Sequence, residues 1–142
     1  MFFFFLGARE TLDSPQLERF ARALQFIQSR YPNMTLGMLS TLFAIGMAPT
    51  HEGALISMSD LVEHLPDQKY STVARQLELL GEGNGRKAGM GLIEKRQDPD
   101  DRRTRYVALS EGGRHLLYEL DSVLAPDLFG GRGKNVPQIE ND

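Results

Sequence analysis

A chain of 142 residues has the size of one domain and can bury a sizeable core. With 41% hydrophobic and 25% charged residues it is ordinary globular material, which excludes disordered and fibrous classes, and a net charge of −3 argues against indiscriminate coating of nucleic acid. The absence of cysteine excludes a disulfide framework, a thiolate zinc site and a cysteine nucleophile, and fits a reducing, cytoplasmic setting.

Residues 1–6, MFFFFL, are apolar but far too short to cross a bilayer, and they lack the basic start and cleavage site of a signal peptide. Residues 1–12 read as an apolar arm that packs on its own domain or on a second subunit. No membrane partner is expected. Asp13, Ser14 and Pro15 form a strong helix start, a capping side chain followed by proline in the first turn. Leu17, Phe20, Ala21, Leu24, Ile27 and Tyr31 then recur at helical spacing until Pro32 and Asn33 end the run. A second helix over about 35–48 is apolar nearly all round, with Leu36, Met38, Leu39, Leu42, Phe43, Ile45 and Met47. Such a helix belongs in the middle of the core, and its methionines are packing material.

A loop over 49–53 leads into a short apolar touch at Ala54, Leu55 and Ile56. Ser57 and Asp60 make an S-x-x-D capping box for a short helix through Leu61, Val62 and Leu65, which Pro66 and Asp67 break. Asp67 or Gln68 then caps a longer helix from Lys69 to about Leu80. Val73, Leu77 and Leu80 point inward there, Tyr70 is able to join them, and Ser71, Thr72, Arg75 and Gln76 occupy the other face. A two-turn helix, a tight Pro-Asp turn and a longer helix with a polar face is the helix-turn-helix plan.

Residues 81–91, GEGNGRKAGMG, match neither a G-x-x-x-x-G-K-[ST] nor a strand-preceded G-x-G-x-x-G phosphate loop, and read as a mobile connection. Arg86 and Lys87 on it are candidates to reach DNA phosphates. A β-prone run follows over 92–96, then a turn through Gln97, Asp98, Pro99, Asp100 and Asp101, then a returning strand over 103–109. The tip carries Arg102, Arg103 and Arg105 beside three aspartates. Ser110 caps a last helix, in which Leu116, Leu117, Leu120, Val123 and Leu124 share a face and which Pro126 ends. Residues 126–142 read as a tail with little order. Charge is uneven along this plan. Residues 68–118 hold ten Lys/Arg against seven Asp/Glu, and the remainder six against twelve, which places a locally basic module on an acidic frame.

A helix-turn-helix followed at once by a basic hairpin is a winged helix. The fold class expected is mainly α with a small β-hairpin, a winged domain over 13–125 with flanking dimerisation helices. The chain here resembles the MarR family of bacterial transcription regulators. The resemblance covers about residues 14–125 and is carried by Gly91, Leu92, Ile93 and Arg96, by Asp98, Asp101, Arg102 and Arg103 in a D-x-x-D-R-R wing, and by Val107, Leu109, Ser110 and Gly113. It implies a repressor-type regulator that binds a pseudo-palindromic site on double-stranded DNA as a homodimer. It also implies a small-molecule effector, which without cysteine cannot be an oxidant read through a thiol.

Arg75 and Gln76 have the forked donors and acceptors that suit guanine and adenine edges, while Lys69, Ser71 and Thr72 suit phosphates or bases near the helix start. Arg102, Arg103 and Arg105 would reach the minor groove or its phosphates. Asp98, Asp100 and Asp101 cannot face phosphate and are expected to brace the tip by pairing with arginine, besides the bonds to their own backbone that Asx residues can make in such a turn. His51, His64 and His115 show no metal-ligand spacing, no catalytic constellation stands out, and neither an enzyme nor a cofactor is expected. The competing reading is a winged-helix adaptor that binds a transcription or replication protein. Loss of DNA binding in Arg75→Ala or Arg102→Ala separates the two.

Overall fold

The structure, a computed structural model, describes residues 11–48 and 55–126. Residues 1–10 of the expected apolar arm and nearly all of the expected tail lie outside the described residues. Five helices and a small sheet follow in the order α1 (Pro15–Arg30), α2 (Leu36–Met47), β1 (Ile56–Ser57), α3 (Met58–Glu63), α4 (Tyr70–Leu80), β2 (Ile93–Gln97), β3 (Arg105–Leu109) and α5 (Glu111–Leu124). The α+β winged arrangement is the one the sequence implies.

Four of these helices begin on a hydroxyl. Ser14 accepts from the Leu17 N–H, Thr35 from Met38, Ser57 from Asp60 and Ser110 from Gly113, all at 3.1–3.2 Å. Each cap satisfies one of the donors that a helix start leaves without a partner. The exception is α4. Its N-cap is Lys69, which makes no side-chain capping bond, so neither Asp67 nor Gln68 caps it as the sequence suggested. Gln68 has another use, described below.

The central helix is α2, with Met38, Leu39, Thr41, Leu42 and Ile45 buried. Against it pack α4, β3 and α5, while α1 packs on α5 and α3 on β1 and β3. Ala23 and Ile27 of α1, Leu61 of α3, Val73, Leu77 and Leu80 of α4, and Leu116 and Leu120 of α5 join it in one contiguous core. Arg30, lying 4.2 Å over the Phe26 ring, donates to Glu119 at 2.6 Å and ties the end of α1 to α5. Both partners are partly exposed, which limits that pair to about 1 kcal/mol or less.

The sheet has three strands in the order β1-β3-β2, all antiparallel. β2 and β3 are the expected hairpin, in register from Ile93↔Leu109 to Gln97↔Arg105. The returning strand begins at Arg105 and not at Arg103, because residues 98–104 close the turn. β1 pairs Ile56 with Val107 and Ser57 with Tyr106, which makes β3 the middle strand. The apolar touch before the capping box is therefore a strand, two residues long and too short to show a period.

Residues 81–91 correct the expectation of a loose connection. Gly83 and Ala88 form an antiparallel bridge, and the Asn84 side chain accepts from the Arg86 and Lys87 N–H groups at 3.1 and 2.9 Å. Gly83 has φ +99°, where a Cβ would also stand 2.3 Å from the Lys87 carbonyl oxygen. At the base of the loop Met90, Gly91 and Leu92 donate to the carbonyls of Leu79, Gly81 and Leu80 at 2.9, 2.9 and 2.7 Å. The segment is a second, smaller hairpin stitched to the end of α4. Gly83→Ala should loosen it by about 1–3 kcal/mol, read as faster amide exchange at Asn84 and Gly89.

Candidate nucleic-acid interface

The exposed face of α4 begins at its uncapped start. Lys69, Tyr70, Ser71 and Arg75 are exposed and Thr72 is half-buried. Ser71 and Arg75 lie one turn apart, and the next turn on that side brings the exposed carboxylate of Glu78. A polyanion would accordingly meet the N-terminal half of the helix, where the first N–H groups also lack a side-chain acceptor. Tyr70, expected as a candidate for the core, is 57% exposed. Its spacing from Val73 and Leu77 fits the buried stripe, but among the described residues no element covers the first turn of α4 at that point. It joins Lys69 and Ser71 as a surface group that periodicity misassigned.

Gln76 is the main correction among the expected site residues. It is buried, at 9% exposure, and turned away from the polar face. Its Oε1 accepts from the Thr41 hydroxyl at 2.5 Å and its Nε2 donates to Gln68 Oε1 at 2.7 Å. A side chain with both ends engaged inside the fold is not available to a base edge. A lone glutamine at a helix position adjoining both faces gives no sequence signal for which face it takes.

At the wing tip Arg102, Arg103 and Arg105 are exposed, and among the described residues none of them makes an ion pair. The aspartates brace the turn by the backbone bonds open to Asx residues there, and not by pairing with arginine. Asp98 accepts from the Asp100 N–H at 2.9 Å, and Asp101 accepts from the Arg103 N–H and the Thr104 hydroxyl, each at 3.0 Å. Short Asx side chains reach their own backbone more readily than a long arginine fork. Gln97 Nε2 completes the clamp by donating to the Arg102 carbonyl at 2.6 Å. The Asp98 and Asp101 carboxylates bond within the turn, the exposed Asp100 carboxylate does not, and the guanidinium groups are left outward. Asp101→Ala should cost about 1 kcal/mol and splay the tip, measured as a loss of Thr104 amide protection with little change in helix content.

Arg86 and Lys87, also exposed, are not brought together with these groups. Their loop joins the Ile93↔Leu109 end of the β2–β3 ladder, whereas Arg102 and Arg103 lie beyond the Gln97↔Arg105 end. Four residue steps at ~3.4 Å each separate the two ends of the ladder by about 14 Å. The histidines stay local. His64 Nδ1 lies 2.8 Å from the Asp60 carbonyl and His115 Nε2 lies 3.8 Å from Glu119, and His51 is outside the described residues. Among the described residues no three His, Cys, Asp or Glu side chains gather to hold a metal ion, and no helix is long and apolar enough to cross a membrane.

A cleft of about 550 Å³ opens between the C-terminal end of α2 and α5. Phe43, Met47, Leu117, Tyr118 and Leu124 line it, with Arg114 and Asp121 as its charged groups. Gly46 lies so close to Leu117 that an added Cβ would stand 2.4 Å from Leu117 Cδ1. Leu12, Leu17 and Phe20 at the start of the chain, and Tyr118 and Leu124 on α5, are further exposed apolar groups.

No protein-family model and no curated protein sequence matches the chain. Solved structures do. A mutant of Escherichia coli MarR complexed with operator DNA is 19% identical with TM-score 0.51, over 78% of this chain and 74% of that one. The transcriptional repressor CouR bound to a 23-mer DNA duplex is 21% identical with TM-score 0.52, over 77% and 66%. The YusO protein of Bacillus subtilis is 17% identical with TM-score 0.55, over 76% and 66%. Helix-turn-helix, three-stranded sheet, wing and closing helix together give this chain the winged helix-turn-helix fold of MarR-type repressors.

Proposed function

We propose that the chain is a sequence-specific regulator of transcription that binds double-stranded DNA, acting as a repressor from a homodimer on a pseudo-palindromic site. The observation that carries this reading is the division of labour at the wing. Three arginines project without acidic partners while Asp98 and Asp101 spend their carboxylates on the turn itself. A solvated hairpin needs no such arrangement. A surface that neutralises phosphate does. Lys69, Tyr70, Ser71, Thr72 and Arg75 on α4 supply the major-groove side, and Arg102, Arg103 and Arg105 supply the wing contacts.

Two further parts of the reading rest on surface chemistry. Leu17 and Phe20 of α1, and Tyr118 and Leu124 of α5, are exposed apolar groups that a second copy of the chain would cover. The cleft between α2 and α5, apolar with one cation and one anion, suits a small aromatic effector that carries an acidic group.

The test is binding of the full chain to duplexes selected from a random-sequence library, followed across a salt series. Arg102→Ala should weaken binding to all duplexes alike and lower the slope of log K against log salt by about 0.9. The mass in solution should be that of two chains. Absence of binding to any duplex at low salt would overturn the reading in favour of an adaptor that contacts protein.

A further inference from the structure

The only fully or nearly fully buried polar side chains among the described residues are Thr41 and Gln76, and they belong to one ring. Thr41 Oγ1 donates to Gln76 Oε1 at 2.5 Å, Gln76 Nε2 donates to Gln68 Oε1 at 2.7 Å, and Gln68 Nε2 donates back to Thr41 Oγ1 at 3.4 Å. Each member gives one hydrogen bond and accepts one, so the circuit closes on itself and its bonds polarise in the same sense. The three residues come from α2, from the turn before α4, and from α4. Gly37, one turn before Thr41, completes the seat, since a Cβ there would stand 2.6 Å from Gln76 Nε2 and 3.3 Å from Gln68 Oε1.

Resting on the proposed DNA reading, the structure assigns Gln76 and Thr41 as positioning residues that set the rotational phase of α4 and hence its sequence specificity. Apolar contacts such as those of Val73 and Leu77 hold α4 against the core, but they are non-directional and tolerate a small roll or slide. A closed hydrogen-bond ring does not, because its bonds weaken steeply when misaligned. Arg75 is the neighbour of Gln76 in sequence, about 100° around the helix. Fixing the azimuth of Gln76 fixes the direction in which Arg75 leaves the surface. Gln68 anchors the same ring to the turn, so the entry angle of α4 is set together with its roll.

The ring can be broken in two independent ways. Thr41→Val with Gln76→Met removes both buried partners and substitutes groups of similar volume. Gly37→Ala retains all three ring residues, adds the helix preference of alanine, and displaces the Gln76 amide. Thr41→Ser retains the hydroxyl. A duplex selected by the parent from a random 20-base-pair library, and an unselected duplex of the same length, serve as probes.

Both ring-breaking forms should keep binding of the unselected duplex at low salt within about twofold, because that binding depends on phosphate contacts. The selected duplex should lose roughly tenfold in affinity, the value of one good base contact, whereas Thr41→Ser alone, with Gln76 retained, should keep the parent's affinity. A ratio of selected to unselected affinity unchanged in Gly37→Ala, or in the double variant where it folds, overturns the assignment while the DNA reading stands. Failure of the parent to bind any duplex overturns both.

Discussion

Gly113→Ala should destabilise the fold by about 3 kcal/mol, against the sign that helix propensity alone gives. In a helix interior, replacing glycine by alanine ordinarily gains up to about 1 kcal/mol. Gly113 lies in the first turn of α5, buried, and a Cβ there would stand 2.1 Å from the Leu92 carbonyl oxygen and 3.1 Å from its carbon. That carbonyl cannot turn aside. It accepts from the Ser110 N–H at 3.0 Å, and the Leu92 N–H is itself bound to the Leu80 carbonyl at 2.7 Å. Three elements meet at this point: the end of α4, the start of β2 and the start of α5. Ser110 adds a further tie, its hydroxyl donating to the Gly91 carbonyl at 2.6 Å while it accepts from Gly113 N–H. Relief of the clash requires α5 to lift from the hairpin base, which uncovers Leu116 and Leu92. Gly112→Ala is the control, because its Cβ would meet nothing nearer than the Gly91 carbonyl oxygen at 3.4 Å. Thermal or urea unfolding should show Gly112→Ala equal to the parent or slightly above it. Gly113→Ala should unfold about 10 °C or more below it. Equal midpoints for Gly113→Ala and the parent would mean that α5 does not rest on Leu92 in this way.

How much of this was legible in the residues varies with the range of the interaction. Helix starts at Ser14, Ser57 and Ser110 were readable because a cap is a bond over three residues, and sequence spacing states it directly. The wing was readable for the same reason, since Asp98 and Asp101 act within their own turn. What failed depended on partners far along the chain. β1 exists because Ile56 and Ser57 meet Val107 and Tyr106, some fifty residues away, and nothing local distinguishes that pair of residues from a loop. Gln76 was placed outward on its residue type, whereas its position was decided by a hydroxyl thirty-five residues earlier in α2. Tyr70 failed in the opposite direction, fitting the buried period with no element among the described residues to bury it. The glycine-rich segment looked loose from composition. Its order comes from Asn84 closing the tip and from α4 carbonyls that a composition count does not see.

Arg75→Ala should reduce affinity for the selected duplex by about 1–3 kcal/mol, roughly ten- to hundredfold, and the loss should be confined to one position of the site. With Gln76 turned inward, Arg75 is the remaining forked side chain on the exposed face of α4 able to read a base pair in two places. Arg75→Lys should recover little, because a point charge replaces the charge but not the planar fork. The salt series separates base reading from mere attraction. An arginine that only neutralises phosphate lowers the slope by about 0.9 and weakens all duplexes alike, which is the behaviour expected of Arg102. An arginine that reads a base leaves the slope nearly unchanged and weakens the matched duplex alone. Glu78 supplies a check on the docking direction, since its carboxylate lies one turn beyond Arg75. If the N-terminal half of α4 enters the groove, Glu78→Gln should strengthen binding to every duplex by a modest, salt-sensitive factor. If the C-terminal half entered instead, Glu78 would contact a base, and its substitution would alter the selected sequence and leave the affinity for unselected DNA as it was. Measured together on one library, the three substitutions give the depth, the phase and the direction of the helix, and a slope change of one unit for Arg75→Ala would assign that residue to the backbone of the duplex.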